Sequence, residues 1–158
     1  MTNKEFFIKT LESEKDKFRE VIAALPDDKH THKVHDKSRD AGSLAGQLAV
    51  QWVGISNVIT KGDPSGGDYY KGQKTKTEML KIFDQSFAQL LKDLDAISDQ
   101  SWENDDAAMG DFWKDKKYNM AWGFLFDAIH HRGQLSTFLR AMGEKVPSIY
   151  GPSADTKM

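Results

Sequence analysis

Cysteine is absent from this chain of 158 residues, which excludes disulfides, thiolate zinc sites and cysteine nucleophiles. Long apolar runs are missing too, whereas a membrane-spanning helix needs about 18 consecutive apolar residues. The segment from Met1 to Leu11 is interrupted by Lys4, Glu5 and Lys9, so it lacks the apolar core of a secretory signal. We therefore expect a cytoplasmic protein without a membrane partner.

A large excess of charge of one sign is also missing. The 22 basic and 24 acidic residues give a net charge of −2, and no block of like charges occurs. Because nucleic-acid binding depends on clustered lysine and arginine, we expect no nucleic-acid partner. The composition, 29% charged and 39% hydrophobic, is typical of a soluble globular protein. Residues 1–158 are predicted to form a single domain.

Apolar residues recur at helical spacing in several segments, and no convincing strand pattern is present. Pro26 ends the first segment because proline cannot continue the helical hydrogen-bond ladder. Thr75 and Glu78 form a capping box at the start of the third, and Gly143 suits the end of the fourth. The pattern predicts an all-α four-helix bundle with helices at about 3–25, 41–60, 75–97 and 118–142.

Long irregular segments connect or follow these helices. The loop from Pro26 to Asp40 carries His30, His32 and His35, a run that can bind metal, although a solvated polar loop is the favoured interpretation. The segment 98–117 is predicted to be an irregular surface connection rather than a lid. The tail 146–155 is predicted to be irregular and packed against the bundle.

Polar residues occupy the fourth helix where a simple bundle would have leucines. The stripe predicted to face inward is Phe124, Asp127, His131, Gln134 and Phe138. An unpaired buried polar group costs about 1–3 kcal/mol, so these side chains need partners. Gln47 and Gln51 on the second helix can supply them, and Glu14 interrupts the apolar stripe of the first helix. We therefore predict a polar layer inside the bundle.

Two interpretations of this layer remain open. Asp127 and His131 are four residues apart, so both can grip one Zn, Ni, Mn or Fe ion. The alternative, which spacing alone favours, is a hydrogen-bonded core network around a water molecule. On the same helix we expect His130 in packing or at an interface and Arg132 solvated or paired with an acid. Gly133 is expected to allow close helix approach.

The end of the chain resembles a known family. Its residues 131–136 (HRGQLS), 139–143 (LRAMG) and 146–155 (VPSIYGPSAD) look like the C-terminal part of DinB-like proteins. These are the damage-inducible bundle proteins of YfiT-like type, not the DNA polymerase that shares the name. The order of helices extends the resemblance across nearly the whole chain. It implies an up-up-down-down four-helix bundle that is commonly a homodimer.

The resemblance also implies a metal site. The family usually places three histidines around a divalent metal, and related bundles are metal-dependent transferases or isomerases that use small thiols. His131 matches the second histidine of the pair on the last helix. Asp127 stands in place of the first, and Gln47 in place of the histidine of the second helix. The implied triad is thus degenerate and is compatible with a harder ion, a weakly bound ion or none.

These expectations lead to competing functions. The first is a divalent-metal-dependent enzyme, a hydrolase or small-thiol transferase, with Gln47, Asp127 and His131 as ligands. The second is a metal-free module that binds a small molecule or thiol. The third is a structural stress-response dimer whose polar layer fixes helix register. In the first two, the remaining pocket-lining residues are Gln51, Gln134, Glu14 and Phe124.

Overall fold

The computed structural model describes residues 1–65 and 74–156. The sequence Gly66-Gly67, which predicts a turn after the second predicted helix, lies outside these ranges. Most described residues are helical, as expected for an all-α bundle. None of the helices within residues 1–65 and 74–156 has the length and apolar character that a membrane span requires. The elements are α1 (Asn3–Ala24), a 3-10 turn (Asp27–Lys29), α2 (Ala41–Val50), α3 (Trp52–Lys61), α4 (Lys76–Ala96), α5 (Asp99–Asn104), β1 (Asp106–Met109), β2 (Trp113–Lys116) and α6 (Lys117–Ala141).

The core lies between four helical units, which are α1, the α2–α3 pair, α4 and α6. α1 and the α2–α3 pair each contact both α4 and α6, which is the packing of a four-helix bundle. Trp52 is fully buried at its centre, with its ring centroid 4.9 Å from that of Phe18 and 5.0 Å from that of Phe87. The apolar stripes predicted for the first three helices supply much of this core.

Side-chain caps fix where the helices begin. At α4 the predicted capping box is present: the Glu78 amide donates to Thr75 Oγ1 at 3.2 Å, and the Thr75 amide donates to Glu78 Oε2 at 2.7 Å. Asp40 caps α2 by accepting from the Ser43 amide at 2.7 Å. This cap ends the histidine-bearing loop and sets where α2 starts.

The second predicted helix is two helices that meet at Gln51. The Gly54 amide lies 3.0 Å from the Gln51 carbonyl and the Ile55 amide 3.4 Å from it, so the backbone is locally tightened. Gln51 stays in the right-handed helical region, which explains why periodicity alone did not reveal the break. Its side chain is buried, and neither amide atom has a hydrogen-bond partner among the described residues.

The connection 98–117 is more ordered than the sequence predicts. It forms α5 and an antiparallel hairpin in which Asp106 pairs with Lys116 and Met109 with Trp113. Gly110, at φ 54°, takes the left-handed conformation that the turn requires. Strands of four residues are too short to produce a clear alternation of apolar and polar residues, so the prediction of an irregular segment was wrong.

Candidate functional site

α6 is rotated from the orientation that the sequence predicts. Asp127 and Gln134 are exposed, so the prediction that they face inward was wrong, whereas Phe138 of the same predicted stripe is buried. The reason is that a neighbouring stripe of α6 is mostly apolar. Its one charged residue, Arg132, pairs with Glu14 inside the bundle. That buried stripe contains Leu125, Ala128, Arg132, Leu135 and Leu139.

Gln47, Asp127 and His131 nevertheless meet, at the surface between α2 and α6. Gln47 Nε2 donates to Asp127 Oδ2 at 3.3 Å. The other carboxylate oxygen of Asp127, Oδ1, lies 3.4 Å from His131 Nε2. Asp127 and His131 are one helical turn apart, and the packing of α2 on α6 brings the Gln47 amide to them.

Two further side chains extend this polar network. The Gln134 amide oxygen lies 2.8 Å from His131 Nδ1, and because an amide oxygen only accepts, the imidazole donates there. Arg39, just before the cap of α2, donates to Gln47 Oε1 and, at 2.9 Å, to the Ser43 carbonyl. We call Arg39, Gln47, Asp127, His131 and Gln134 the surface network.

A cleft of about 400 Å³ adjoins this network, between the histidine-bearing loop and α6. Its size falls in the usual range for small-molecule sites. Three members of the surface network line the cleft. Gln51 and Phe124, which were expected to line a pocket, do not line this cleft. Phe124 packs on Trp113 of the hairpin, with ring centroids 5.8 Å apart. The lining residues are Val34, Ser38, Arg39, Leu44, His131, Gln134, Thr137 and Phe138.

Glu14 lies in a second polar cluster, not in the surface network as expected. Its Oε2 accepts from Arg132 Nη1 at 2.5 Å and from the Tyr150 hydroxyl at 2.8 Å, and Oε1 accepts from Lys17 at 2.9 Å. Arg132 is 2% exposed and Glu14 5%. Of the two alternatives expected for Arg132, pairing with an acid is confirmed and a solvated side chain is wrong.

The electrostatics of Glu14 follow from these contacts. Burial raises the pKa of the carboxyl, but hydrogen bonds from Lys17, Arg132 and Tyr150 outweigh burial and hold the pKa below its ordinary value. Arg132 also stacks its guanidinium on Phe18, 4.5 Å from the ring centroid. The sequence signals for this cluster were the polar position of Glu14 in the stripe of the first helix and the expectation that Arg132 could pair with an acid.

Both the sequence of the chain and its fold have clear relatives. The sequence model of the DinB family matches residues 1–157. The chain belongs to the DinB family. Two solved DinB-like proteins share its fold. One, from Bacillus subtilis, has a TM-score of 0.71 at 18% identity, covering 90% of this chain and 96% of that one. The other, from Bacillus cereus, has a TM-score of 0.79 at 14% identity, covering 92% of this chain and 97% of that one. No curated protein matches the chain significantly.

The DinB resemblance implies a divalent metal, and the residues present do not fit a tightly held one. Within residues 1–65 and 74–156, no cluster of three or more His, Cys, Asp or Glu side chains could hold an ion. The surface network offers one carboxylate and one imidazole. The amide oxygen of Gln47, the third expected ligand, already accepts from the Arg39 guanidinium, whose positive charge opposes a nearby cation.

The groups around the cleft are also poorly arranged for proton transfer or nucleophilic attack. Both ring nitrogens of His131 face partners within the network. The Ser38 hydroxyl donates to the His35 carbonyl at 2.6 Å, and the Thr137 hydroxyl to the Gly133 carbonyl at 3.2 Å. Each hydroxyl donates its hydrogen bond to a backbone carbonyl and not to a general base, so neither is arranged as an activated nucleophile.

Proposed function

We propose that this DinB-family protein binds a small organic molecule in the cleft beside His131, without needing a metal ion. The observation that carries the proposal is the cleft itself, whose lining combines apolar side chains with three members of the surface network. Leu44 and Phe138 supply apolar area, and Arg39, His131 and Gln134 supply directed polar groups. This combination is typical of small-molecule sites.

The surface network supports binding because its polar groups are held in place before a ligand arrives. The Gln134 amide fixes the imidazole of His131, and the Gln47 amide fixes the carboxylate of Asp127. Side chains that are already ordered lose less conformational entropy on binding, which raises affinity for a matching ligand.

Filling the cleft tests this proposal. Thr137 is an exposed residue of α6 that lines the cleft, so Thr137→Trp should occupy the space without disturbing the bundle core. A thermal-shift screen of small polar ligands and thiols, run with a chelator present, should find compounds that stabilise the wild type. We expect Thr137→Trp to abolish that stabilisation.

The matched control is Thr137→Ala, which leaves the cleft open and loses only the hydroxyl contact to the Gly133 carbonyl. It should retain ligand stabilisation. Equal stabilisation of the wild type and the Thr137→Trp variant by every hit would place binding elsewhere and contradict the proposal.

A second candidate is a hydrolase or small-thiol transferase that depends on Zn, Ni, Mn or Fe. One observation favours it. His131 Nδ1 donates to the Gln134 amide oxygen, which leaves Nε2 on the side of Asp127, and metal-bound histidines commonly donate their other ring N–H to an acceptor in this way. Elemental analysis after supplementation with each ion should give stoichiometric metal in the wild type but not in Asp127→Ala or His131→Ala. Absence of metal in the wild type would rule this candidate out.

A further inference from the structure

Arg39 differs from the other arginines of the described residues in its partners. Arg19, Arg132 and Arg140 each form an ion pair with a carboxylate, at distances between 2.5 and 3.0 Å. Arg39 forms none in the part of the chain that the structure describes. Its guanidinium donates to the Gln47 amide and the Ser43 carbonyl, both of which are neutral acceptors.

Asp40, next to Arg39 in the chain, and Asp127, the carboxylate of the surface network, have other partners. Asp40, the next residue, accepts from the Ser43 amide as the cap of α2. Asp127 accepts from Gln47 and faces the imidazole of His131. Neither carboxylate lines the cleft. The charge of Arg39 is therefore not neutralised by a carboxylate from the described part of the protein.

Arg39 lines the cleft, and its hydrogen bonds to the Gln47 amide and the Ser43 carbonyl restrain the guanidinium there. A guanidinium has five N–H donors, and the two neutral acceptors leave several available for another group. An arginine restrained in this way is well suited to a planar anion, since it can donate two parallel hydrogen bonds. Val34, Leu44 and Phe138, which also line the cleft, offer apolar contact.

We propose that the cleft selects small organic anions with an apolar body, and that Arg39 recognises their negative charge. This inference rests on the proposed binding function of the same cleft and adds the chemical class of the ligand. An acid whose carboxylate pairs with Arg39 would place its apolar part against Leu44 and Phe138. A neutral ligand of the same shape keeps the apolar contacts and loses the charged one.

Matched pairs of probes test the inference on the full chain. Hexanoate, 4-phenylbutyrate and 3-indolepropionate would each be compared with the corresponding amide by titration calorimetry in the presence of a chelator. Because hydrogen bonds to a charged group are stronger than those to a neutral one, we expect the acids that bind to do so about tenfold more tightly than their amides. In Arg39→Gln this preference should disappear, because the acids lose more affinity than their amides do.

Two further variants make the result specific. Arg39→Lys keeps the charge and should retain part of the preference for acids. Lys37→Gln removes the same charge from the same exposed loop at a residue that does not line the cleft, so it should retain the full preference. The loss of the preference for acids in Arg39→Gln would then be due to the position of Arg39 in the cleft and not to the change in net charge.

The outcomes separate this inference from the function on which it rests. Equal affinity of acids and amides for the wild type, or an unchanged preference in Arg39→Gln, would overturn the role of Arg39 and leave the binding cleft standing. Failure of every acid and every amide to bind would overturn both.

Discussion

Glu14 and Arg132 place a charged pair at positions where the bundle could have used apolar side chains. Each would be costly to bury alone, and together with Tyr150 they satisfy one another. Arg132 Nη2 donates to the Tyr150 hydroxyl at 2.6 Å, so the pair also ties the irregular tail to α1 and α6. The cluster of Glu14, Arg132 and Tyr150 therefore has a structural role and is separate from the surface network.

Replacing Glu14 by Gln should make the protein less stable at neutral pH. Loss of one partner leaves Arg132 buried without its counter-charge, and we expect a decrease of about 3 kcal/mol in the free energy of unfolding. The pKa of Glu14 in the folded protein lies below its ordinary value, so its contribution is complete above the ordinary pKa of a glutamate and is lost as the pH falls through the lowered, folded-state pKa. Urea denaturation of both proteins across this range should show the difference shrinking in acid.

Glu12→Gln provides the control, because Glu12 is an exposed residue of the same helix. Its unfolding free energy should match the wild type at every pH. A pH-independent difference between Glu14→Gln and the wild type would contradict an ionised Glu14 in the folded protein.

At the scale of elements, α6 combines two glycines with opposite surroundings. An ideal Cβ at Gly133 would have no heavy atom within 4 Å, so the predicted close helix approach was wrong at this position. At Gly123 a Cβ would lie 2.4 Å from Cη2 of Trp113, because the hairpin packs its indole directly on the helix. Gly123 therefore allows the hairpin to dock, whereas Gly133 only lowers helix propensity.

These surroundings predict opposite effects of the same substitution. Gly133→Ala should raise the free energy of unfolding by about 0.5–1 kcal/mol, since alanine favours the helix. Gly123→Ala should lower it by about 1–3 kcal/mol through overpacking against the indole. Thermal denaturation of both variants measures this, and the cost at Gly123 should shrink in a Trp113→Ala background. An unchanged melting temperature in Gly123→Ala would argue against the docked hairpin.

Elements with strong local signals could be predicted from the sequence, and those that depend on distant contacts could not. The capping box at Thr75 and the unbroken apolar spacing that follows it are local, so α4 was placed to within a residue or two. The rotation of α6 depends on the ion pair of Arg132 with Glu14, which is 118 residues away in the chain. Helical periodicity cannot reveal such a partner.

The whole molecule is a DinB-family bundle in which the surface network and the interior cluster of Glu14 and Arg132 are separate groups of polar side chains. The convergence of Gln47, Asp127 and His131 followed from side-chain spacing and from the resemblance to the family. Their surface position, the link to Arg39 and the adjacent cleft did not, because each depends on how the loop before α2 folds over α6. That loop supplies Val34, Ser38 and Arg39 to the cleft.

Mapping the ligand on the full chain tests the central claim most directly. Amide chemical shifts of labelled protein would be followed during titration with 4-phenylbutyrate in the presence of a chelator. The account predicts saturable changes concentrated around Val34, Leu44, His131 and Phe138. Changes confined to the exposed aromatic residues Phe6 and Phe126, on another part of the surface, or no changes until a metal is added, would contradict it.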